Sequence, residues 1–292
     1  MSARTCLVTG AGRGIGRAVA VRLAAAGHRV ALTARSADQL EETAAACRAA
    51  PGGAAGAASD AASRAESGAA SGGGSGGASG AASDAASGGV ETLVLPADLT
   101  ADGAVDTLVA QVAERWGPVE ILVANAGAAT SAPLPKVTDA EWQRMLDLNL
   151  TAPFRCLRAV VPAMVERGYG RIVVIGSVAS KRGEPYIAAY TAAKHGVLGL
   201  VRAAAAELAR TGVTVNAVCP AYVDTPMTDG SVAWIAENTD RTAAEARRTL
   251  ERKQPIGRLI TVDEVADAVW FCIENSAVTG QGLNVDGGAI QS

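Results

Sequence analysis

A chain of 292 residues with 49% apolar and 3% aromatic residues has room for one large domain or two small ones, with a core built from Val, Leu, Ile and Ala. The formal charge of −3, without any dense Lys/Arg block, argues against nucleic acid as a partner, and His28 and His195, the only histidines, lack the Cys or carboxylate neighbours of a metal site. Cys6, Cys47, Cys156, Cys219 and Cys272 form no CxxC pair and read as buried hydrophobes in a reducing compartment; with no apolar run of membrane-spanning length, a cytoplasmic protein free of the membrane is expected.

The first apolar run, Thr5-Cys6-Leu7-Val8-Thr9, reads as a strand that feeds Gly10-Ala11-Gly12-Arg13-Gly14-Ile15-Gly16 and then a helical pattern from Ala18 to Ala26. Strand, glycine turn and helix in this order make the first half of a nucleotide-binding βαβ unit. Glycines permit the tight turn and the close approach of a pyrophosphate, and the helix start offers unpaired N–H groups and the positive end of its dipole. The spacing of Gly10, Gly14 and Gly16 is TGxxxGxG rather than GxGxxG. The second strand, Arg29 to Thr33, ends at Ala34-Arg35, where an NAD-specific site would place an acid for the ribose 2′-hydroxyl. Asp38 falls too late, inside a helix from about Ser36 to Ala50 that Ser36 caps. Arg35, joined by Arg13, reads as a partner for a 2′-phosphate, the alternative being two solvated surface charges. NADPH (NADP+) is thus favoured over NADH.

From Gly52 to Gly89 every residue except Asp60, Arg64, Glu66 and Asp84 is Ala, Gly or Ser, and the octet GAASDAAS occurs at 56–63 and again at 80–87. With no apolar residue larger than Ala, such a segment cannot offset its ordering entropy and reads as a disordered insertion. Its place between a helix and the next strand puts it at the edge of the sheet away from ligands.

Val90 to Leu95 is the next strand, and Asp98 beyond it is suited either to the amino group of an adenine or to capping a helix from about Asp102 to Trp116. Ile121 to Ala124 then delivers Asn125-Ala126-Gly127, whose small residues let a cofactor lie against the backbone. A helix from Asp139 contains Asn149 between two leucines, an interior polar group in need of a partner, and Pro153 marks a local break. The run Ile172 to Ile175 ends at Gly176-Ser177, and Tyr190-Thr191-Ala192-Ala193-Lys194 opens a long Ala/Leu-rich helix. Four residues apart on a helix, Tyr190 and Lys194 share one face, so the ammonium is expected to favour phenolate and make Tyr190 a usable acid and base, with Ser177 holding the same substrate oxygen.

Val213 to Val218 is a further strand, followed by Pro220-Ala221-Tyr222-Val223-Asp224-Thr225-Pro226. The less regular stretch 221–259 reads as a substrate lid, with a capping box at Thr242 and Glu245 opening a helix to about Lys253. Arg247, Arg248, Arg252 and Lys253 on it suit a phosphorylated carrier or, alternatively, a solvated face paired with Glu251. A helix from Val262 to Ile273 and a strand near Gly282 to Val285 close the chain.

Taken in order, TGAGRGIG (9–16), Asp98, NAG (125–127), Asn149, Ser177, YTAAK (190–194) and NAVCPAYVDTP (216–226) resemble the short-chain dehydrogenase/reductase family over nearly the whole chain outside the insertion. YTAAKHGVLGL, ELARTGVTVNAVCP and the PIGR turn (255–258) resemble most the 3-oxoacyl reductases acting on acyl carrier protein or coenzyme A thioesters, and the ketoreductases of aromatic polyketide pathways. The resemblance implies an α/β, single-domain Rossmann fold spanning 1–292, with a seven-stranded parallel sheet and helices on both faces. It implies reduction of a small-molecule ketone by hydride transfer from NADPH, in a homotetramer built on the helices around Asn149 and Tyr190. Tyr190 becomes the proton donor, Lys194 its tuner and a ribose ligand, Ser177 the group that polarises the carbonyl, and Asn149 the holder of a water in a proton relay. The cofactor set implied is Gly10, Arg13, Gly14, Ile15, Gly16, Arg35, Asp98, Leu99, Asn125, Ala126, Gly127, Tyr190, Lys194, Pro220, Val223 and Thr225, with Thr225 near the nicotinamide carboxamide. The chain departs from the family pattern at Ala124 (usually Asn), at Ala221 (usually Gly) and at Ala128 to Ser131, which lack the usual proline and glycines. Two other readings stand beside ketone reduction: NAD-dependent oxidation of a secondary alcohol or 3-hydroxyacyl thioester, and a dinucleotide-binding scaffold or sensor without turnover.

Overall fold

The structure, a computed structural model, describes residues 3–50 and 90–291, so the expected insertion at 52–89 lies outside the described residues. Seven strands, β1 (Thr5–Thr9), β2 (Arg29–Thr33), β3 (Thr92–Val94), β4 (Ile121–Ala124), β5 (Gly170–Ile175), β6 (Val213–Pro220) and β7 (Gly282–Val285), form one parallel sheet in the order β3-β2-β1-β4-β5-β6-β7. Alternating side chains of the central strands face opposite sides. Leu7, Leu122, Ile172 and Val215 enter one core, while Cys6, Val8, Val123 and Val173 enter the other. Each strand must therefore be apolar on both faces, which is why these runs read as continuous hydrophobic stretches.

The helices are α1 (Gly14–Ala25), α2 (Ala37–Ala49), α3 (Ala104–Trp116), α4 (Asp139–Leu146), α5 (Ala152–Arg167), α6 (Ala188–Leu208), α7 (Pro226–Asn238), α8 (Ala243–Arg252) and α9 (Val262–Glu274). Leu108 and Val112 of α3, Leu157 and Val160 of α5, and Val197 and Val201 of α6 cover the Leu7 side. Leu23 of α1, Leu40 of α2 and Val269 of α9 cover the Cys6 side. The strand order reverses direction between β1 and β4, so a crevice opens there at the C-terminal ends of the strands. The end of α2 and the start of β3, which flank residues 51–89, lie at the opposite edge.

Several expectations need adjustment. The edge strand β3 is only three residues long, and α3 begins at Ala104 because Gly103 before it takes a left-handed turn with φ 72°. The segment after Thr225 forms α7, a helix its irregular pattern does not announce. The single helix expected through Asn149 is divided: α4 ends at Leu146, a π-helical turn spans Asp147–Thr151, and α5 follows. Pro153 has no N–H for the Asn149 carbonyl, and the Ala152 N–H bonds five residues back to Asp147 instead.

At the N-terminal edge of β4, Glu120 is a buried carboxylate. Its Oε1 accepts from Arg4 at 2.7 Å and Arg167 at 3.2 Å, and its Oε2 accepts from the Thr5 N–H at 3.0 Å. Burial alone would raise its pKa, but the Arg4 hydrogen bond, the Thr5 N–H and both guanidinium charges outweigh it and hold the carboxyl below its usual range. A depressed carboxylate pKa contributes stability above the unfolded-state value, lost as pH falls through the folded-state value. Glu120→Gln is expected to cost about 2 kcal/mol in urea unfolding at pH 7, with the gap to wild type closing on acidification below about pH 4; a gap that does not change with pH would count against this ion cluster.

Candidate active site

The glycine turn after β1 brings backbone to backbone. Gly10 (φ 64°) and Gly14 (φ 56°) occupy the left-handed region, and a Cβ on Gly16 would stand 2.3 Å from the Gly10 carbonyl oxygen. Asn125 fastens the turn to β4, its side-chain Nδ2 donating to the carbonyls of Thr9 (2.9 Å) and Gly10 (3.1 Å) while the Thr9 hydroxyl accepts from the N–H groups of Asn125 and Ala126. A second brace escaped the sequence reading. Arg17 donates to the Gly12 carbonyl at 2.7 Å and to Glu42 of α2, and the Thr43 hydroxyl donates to the Ala11 carbonyl. These partners are 5 to 32 residues apart, without a local motif to announce them. Side chains of Ser36, Thr138, Thr242 and Thr261 cap α2, α4, α8 and α9, whereas α1, like α3, α5, α6 and α7, has no side-chain cap, and no acid stands in its first turn. Its leading N–H groups are thereby left without a side-chain acceptor, as an anion-binding helix start requires.

The expected catalytic groups converge at the end of β5. Ser177 leaves the strand in an extended conformation and opens a 3₁₀ turn (Val178–Ser180) through a capping box: its hydroxyl accepts from the Ala179 N–H, and its N–H donates to the Ser180 hydroxyl. Tyr190 stands in the first turn of α6, with its phenol beside the Ser177 hydroxyl. Lys194, one turn on and 5% exposed, puts its Nζ 5.5 Å from the centre of the Tyr190 ring and donates to the Ile175 carbonyl at 2.7 Å. Asn149, wholly buried, donates from Nδ2 to the carbonyls of Ala128 and Met145 at 3.0 Å each, and its Oδ1 has no partner. A Cβ on Gly127 would lie 2.8 Å from that Oδ1 and 3.8 Å from Lys194 Nζ, so the two polar groups flank one glycine. The π-helical turn sets Asn149 here. The orphan acceptor beside the ammonium is what a relay water needs.

Electrostatics in the free site correct one expectation. Burial pushes the Tyr190 phenol up to about 12 although the neighbouring Ser177 hydroxyl lowers it, and burial also drives Lys194 down to about 8. Desolvation is the largest cause at both groups, and it favours the neutral, protonated phenol.

Other predicted residues are placed as follows. The Thr225 methyl would lie 3.3 Å from a Cβ on Gly14, which brings the start of α7 to the glycine turn. Arg13 and Arg35 are exposed, at the turn and at the end of β2. Exposed Asp98 accepts from the N–H and hydroxyl of Thr100, which with the Arg35 charge hold its carboxyl low. It does not cap α3, which Gly103 enters. The side chains of Leu99 and Ile15 pack into the two cores, leaving their backbones to the crevice. Pro220 closes the pairing of β6 with β7, and buried Val223 bridges to Ile260. Among the described residues no cluster of His, Cys, Asp or Glu is arranged to hold a metal ion, and no helix is long and apolar enough to cross a membrane.

A cavity of about 800 Å³ opens over Tyr190, walled by Gly127 to Ser131, by Glu184 to Ile187, by Tyr222 and Met227, and by Trp234 and Ile235 of α7. On α8, Arg247 is held by Asp224 (2.8 Å) and Glu251 (3.3 Å), and Lys253 by Glu184 (3.0 Å). Two of the four cations considered for a phosphorylated carrier are thereby paired with carboxylates.

A doubly wound sheet with a glycine turn at its switch point, and a Tyr–Lys pair beside Ser and Asn, defines a dinucleotide-dependent oxidoreductase. Residues 4–73 match the family described as short chain dehydrogenase, and residues 74–289 the one described as Enoyl-(Acyl carrier protein) reductase. The chain belongs to the short-chain dehydrogenase/reductase family. A Streptomyces coelicolor protein whose name assigns it as a ketoacyl reductase is 37% identical over 97% of this chain and 95% of that one. A 3-oxoacyl-(acyl-carrier-protein) reductase of Synechocystis sp. is 32% identical over 99% and 98%. Among solved structures, a variant actinorhodin polyketide ketoreductase with NADPH superposes with a TM-score of 0.83 at 36% identity, covering 98% of this chain and 97% of that one.

The phenol's position can be read directly. In the ligand-free protein, the ultraviolet difference titration between wild type and Tyr190→Phe is expected to show a phenol ionising near 12; a midpoint at the ordinary value near 10 would contradict the burial described.

Proposed function

We propose that the chain reduces a ketone to a secondary alcohol with NADPH. The observation that carries the reading is Tyr190 beside Ser177, one helical turn from buried Lys194 whose Nζ lies 5.5 Å from its ring, in a cavity that Arg13 of the glycine turn also lines. The residues present fit NADPH. The uncapped start of α1 and the left-handed glycines suit the pyrophosphate, and Arg13 and Arg35 suit the 2′-phosphate where no acid stands to favour NADH. NADPH supplies the hydride. Ser177 orients the carbonyl oxygen, Tyr190 gives its proton to that oxygen as charge develops there, and Lys194 stabilises the phenolate left behind. The Asn149 Oδ1 holds a water through which Lys194 and then Tyr190 recover a proton from solvent. Residues 221–259 act as a lid through α7 and α8.

A 3-oxoacyl thioester or a polyketide-type carbonyl, free or carried on acyl carrier protein or coenzyme A, is the substrate class that the named relatives support. The buried free cysteines are compatible with work in the cytoplasm, and exposed Phe154 and Val165 on α5 with a homotetramer built through that helix. A second reading, oxidation of a secondary alcohol with NAD, draws on a D-beta-hydroxybutyrate dehydrogenase of Rhizobium meliloti, 35% identical over 66% of this chain.

Consumption of NADPH absorbance with β-ketothioesters and cyclic ketones tests the reaction. Tyr190→Phe is expected to lower kcat by about 10³-fold, and undiminished turnover would end the proposal. Arg35→Asp is expected to shift the NADPH-to-NADH ratio of kcat/KM toward NADH by at least about tenfold, whereas a wild type that prefers NADH would favour the oxidative reading.

A further inference from the structure

The whole chain holds only ten aromatic side chains of the Trp, Tyr and Phe kinds. Four of them, Tyr186, Tyr190, Tyr222 and Trp234, line the one cavity above the catalytic tyrosine. Tyr186 and Trp234 come from different elements, the loop before α6 and the middle of α7, and their rings meet at 5.4 Å between centroids with planes tilted by 43°. A tilted contact of this kind does not stack the rings face to face, and both residues also line the cavity. Tyr186 is also the only non-glycine among the described residues with a positive φ, 69°, and it is 54% exposed. A strained backbone presenting a large apolar ring to open space is expected where the ring meets something other than the protein.

The strain is held from both ends. The Ala132 N–H donates to the Tyr186 carbonyl at 2.7 Å, which ties the loop to the opposite cavity wall. Two residues earlier, Glu184 takes Arg182 at 2.7 Å and Lys253, just past α8, at 3.0 Å. The loop that leads into the catalytic helix is therefore stapled to both helices of residues 221–259, by rings at Tyr186 and by charge at Glu184. Neither staple includes a residue with a part in the proposed proton or hydride transfer. Both fix where the aromatic surface stands relative to Tyr190.

We propose that Tyr186 and Trp234 are specificity-determining residues forming a rigid aromatic wall that takes the flat face of a fused-ring ketone in preference to an open-chain acyl group. A rigid wall matches a rigid ring with little further ordering, while a flexible acyl chain loses rotamer freedom on the same surface. Thr130 and Ser131, also lining the cavity, offer hydroxyls to ring oxygens. The inference refines the ketone-reduction reading and rests on it for the identity of the reaction.

The test compares 2-tetralone with an acetoacetyl thioester, measuring kcat/KM for each in wild type, Tyr186→Leu, Trp234→Leu, and the conservative Tyr186→Phe and Trp234→Phe. The ratio of bicyclic to linear kcat/KM is expected to fall by about tenfold in each leucine variant and to recover in each phenylalanine variant. A ratio that does not move, even where both rates drop together, would make the ring pair a structural staple only and overturn the proposal. Binding is read separately by calorimetry in the Tyr190→Phe background, where Trp234→Leu is expected to weaken 2-tetralone about tenfold; an unchanged affinity also overturns the wall. If wild type reduces neither ketone while this binding difference persists, the wall stands and the ketone-reduction reading falls.

Discussion

The bond from Lys194 Nζ to the Ile175 carbonyl joins α6 to the sheet, and the candidate site is built around it. An ammonium taken out of water must find strong acceptors, and here a buried strand-end carbonyl 19 residues away provides one at 2.7 Å. The bond sets the rotation of α6 against β5. That rotation places Tyr190, one turn earlier on the same face, over the 3₁₀ turn that Ser177 opens. A single acceptor does not satisfy an ammonium with three donors. The remaining demand points toward the Asn149 Oδ1 and the crevice, so the same residue that fixes the architecture keeps capacity for ligands.

The second constraint is steric. Where the Gly10 carbonyl would meet a Gly16 side chain at 2.3 Å, the chain has surrendered two side chains to bring α1 within reach of β1 and β4. Helix α1 could have been capped as α2 is by Ser36, but a cap would satisfy the N–H groups that an anion needs. The departures from family pattern are tolerable by the same measure. Ala221 stands outside the positive-φ region, so a Cβ there carries no backbone penalty, and its N–H still bonds the Val285 carbonyl at 3.1 Å. At Ala124 the missing side chain leaves the turn intact because Asn125 and Thr9 make the fastening bonds.

Features carried by local chemistry were legible in the sequence. The glycine spacing, the Thr242/Glu245 capping box, the Ser36 cap and the i,i+4 pairing of Tyr190 with Lys194 each need only neighbouring residues, and each stands where expected. Features that depend on distant partners were not. Arg17 reaches Glu42 across 25 residues and Glu184 reaches Lys253 across 69, and a charged residue's sequence neighbourhood says nothing of such partners. The π-helical turn was half visible: Pro153 announced a break, but only the folded helix shows the extra residue absorbed ahead of it, aiming Asn149 inward. Asp98 was read as a cap or an adenine ligand, and the geometry of Gly103 removed the first choice. Tyr186 carried no signal, since a tyrosine with positive φ looks in sequence like any other loop aromatic.

The titration behaviour of the Tyr–Lys pair bears on the direction of chemistry. The sequence led to a phenol lowered by its cation, but a cation can lower a neighbour only by its own charge, and burial works against that charge too. With Lys194 brought to about 8 and Tyr190 raised to about 12, the ligand-free site near neutrality holds the phenol protonated. Phenolate is then the minor form of the ligand-free site. An enzyme taking a proton from an alcohol would start from that rare form. One giving a proton to a ketone starts from the dominant form; its raised pKa makes the phenol a weaker acid, so the stronger basicity of the alkoxide that forms has to drive the transfer. Burial thus keeps the proton on the phenol oxygen beside the Ser177 hydroxyl, the form from which the proposed reduction would start.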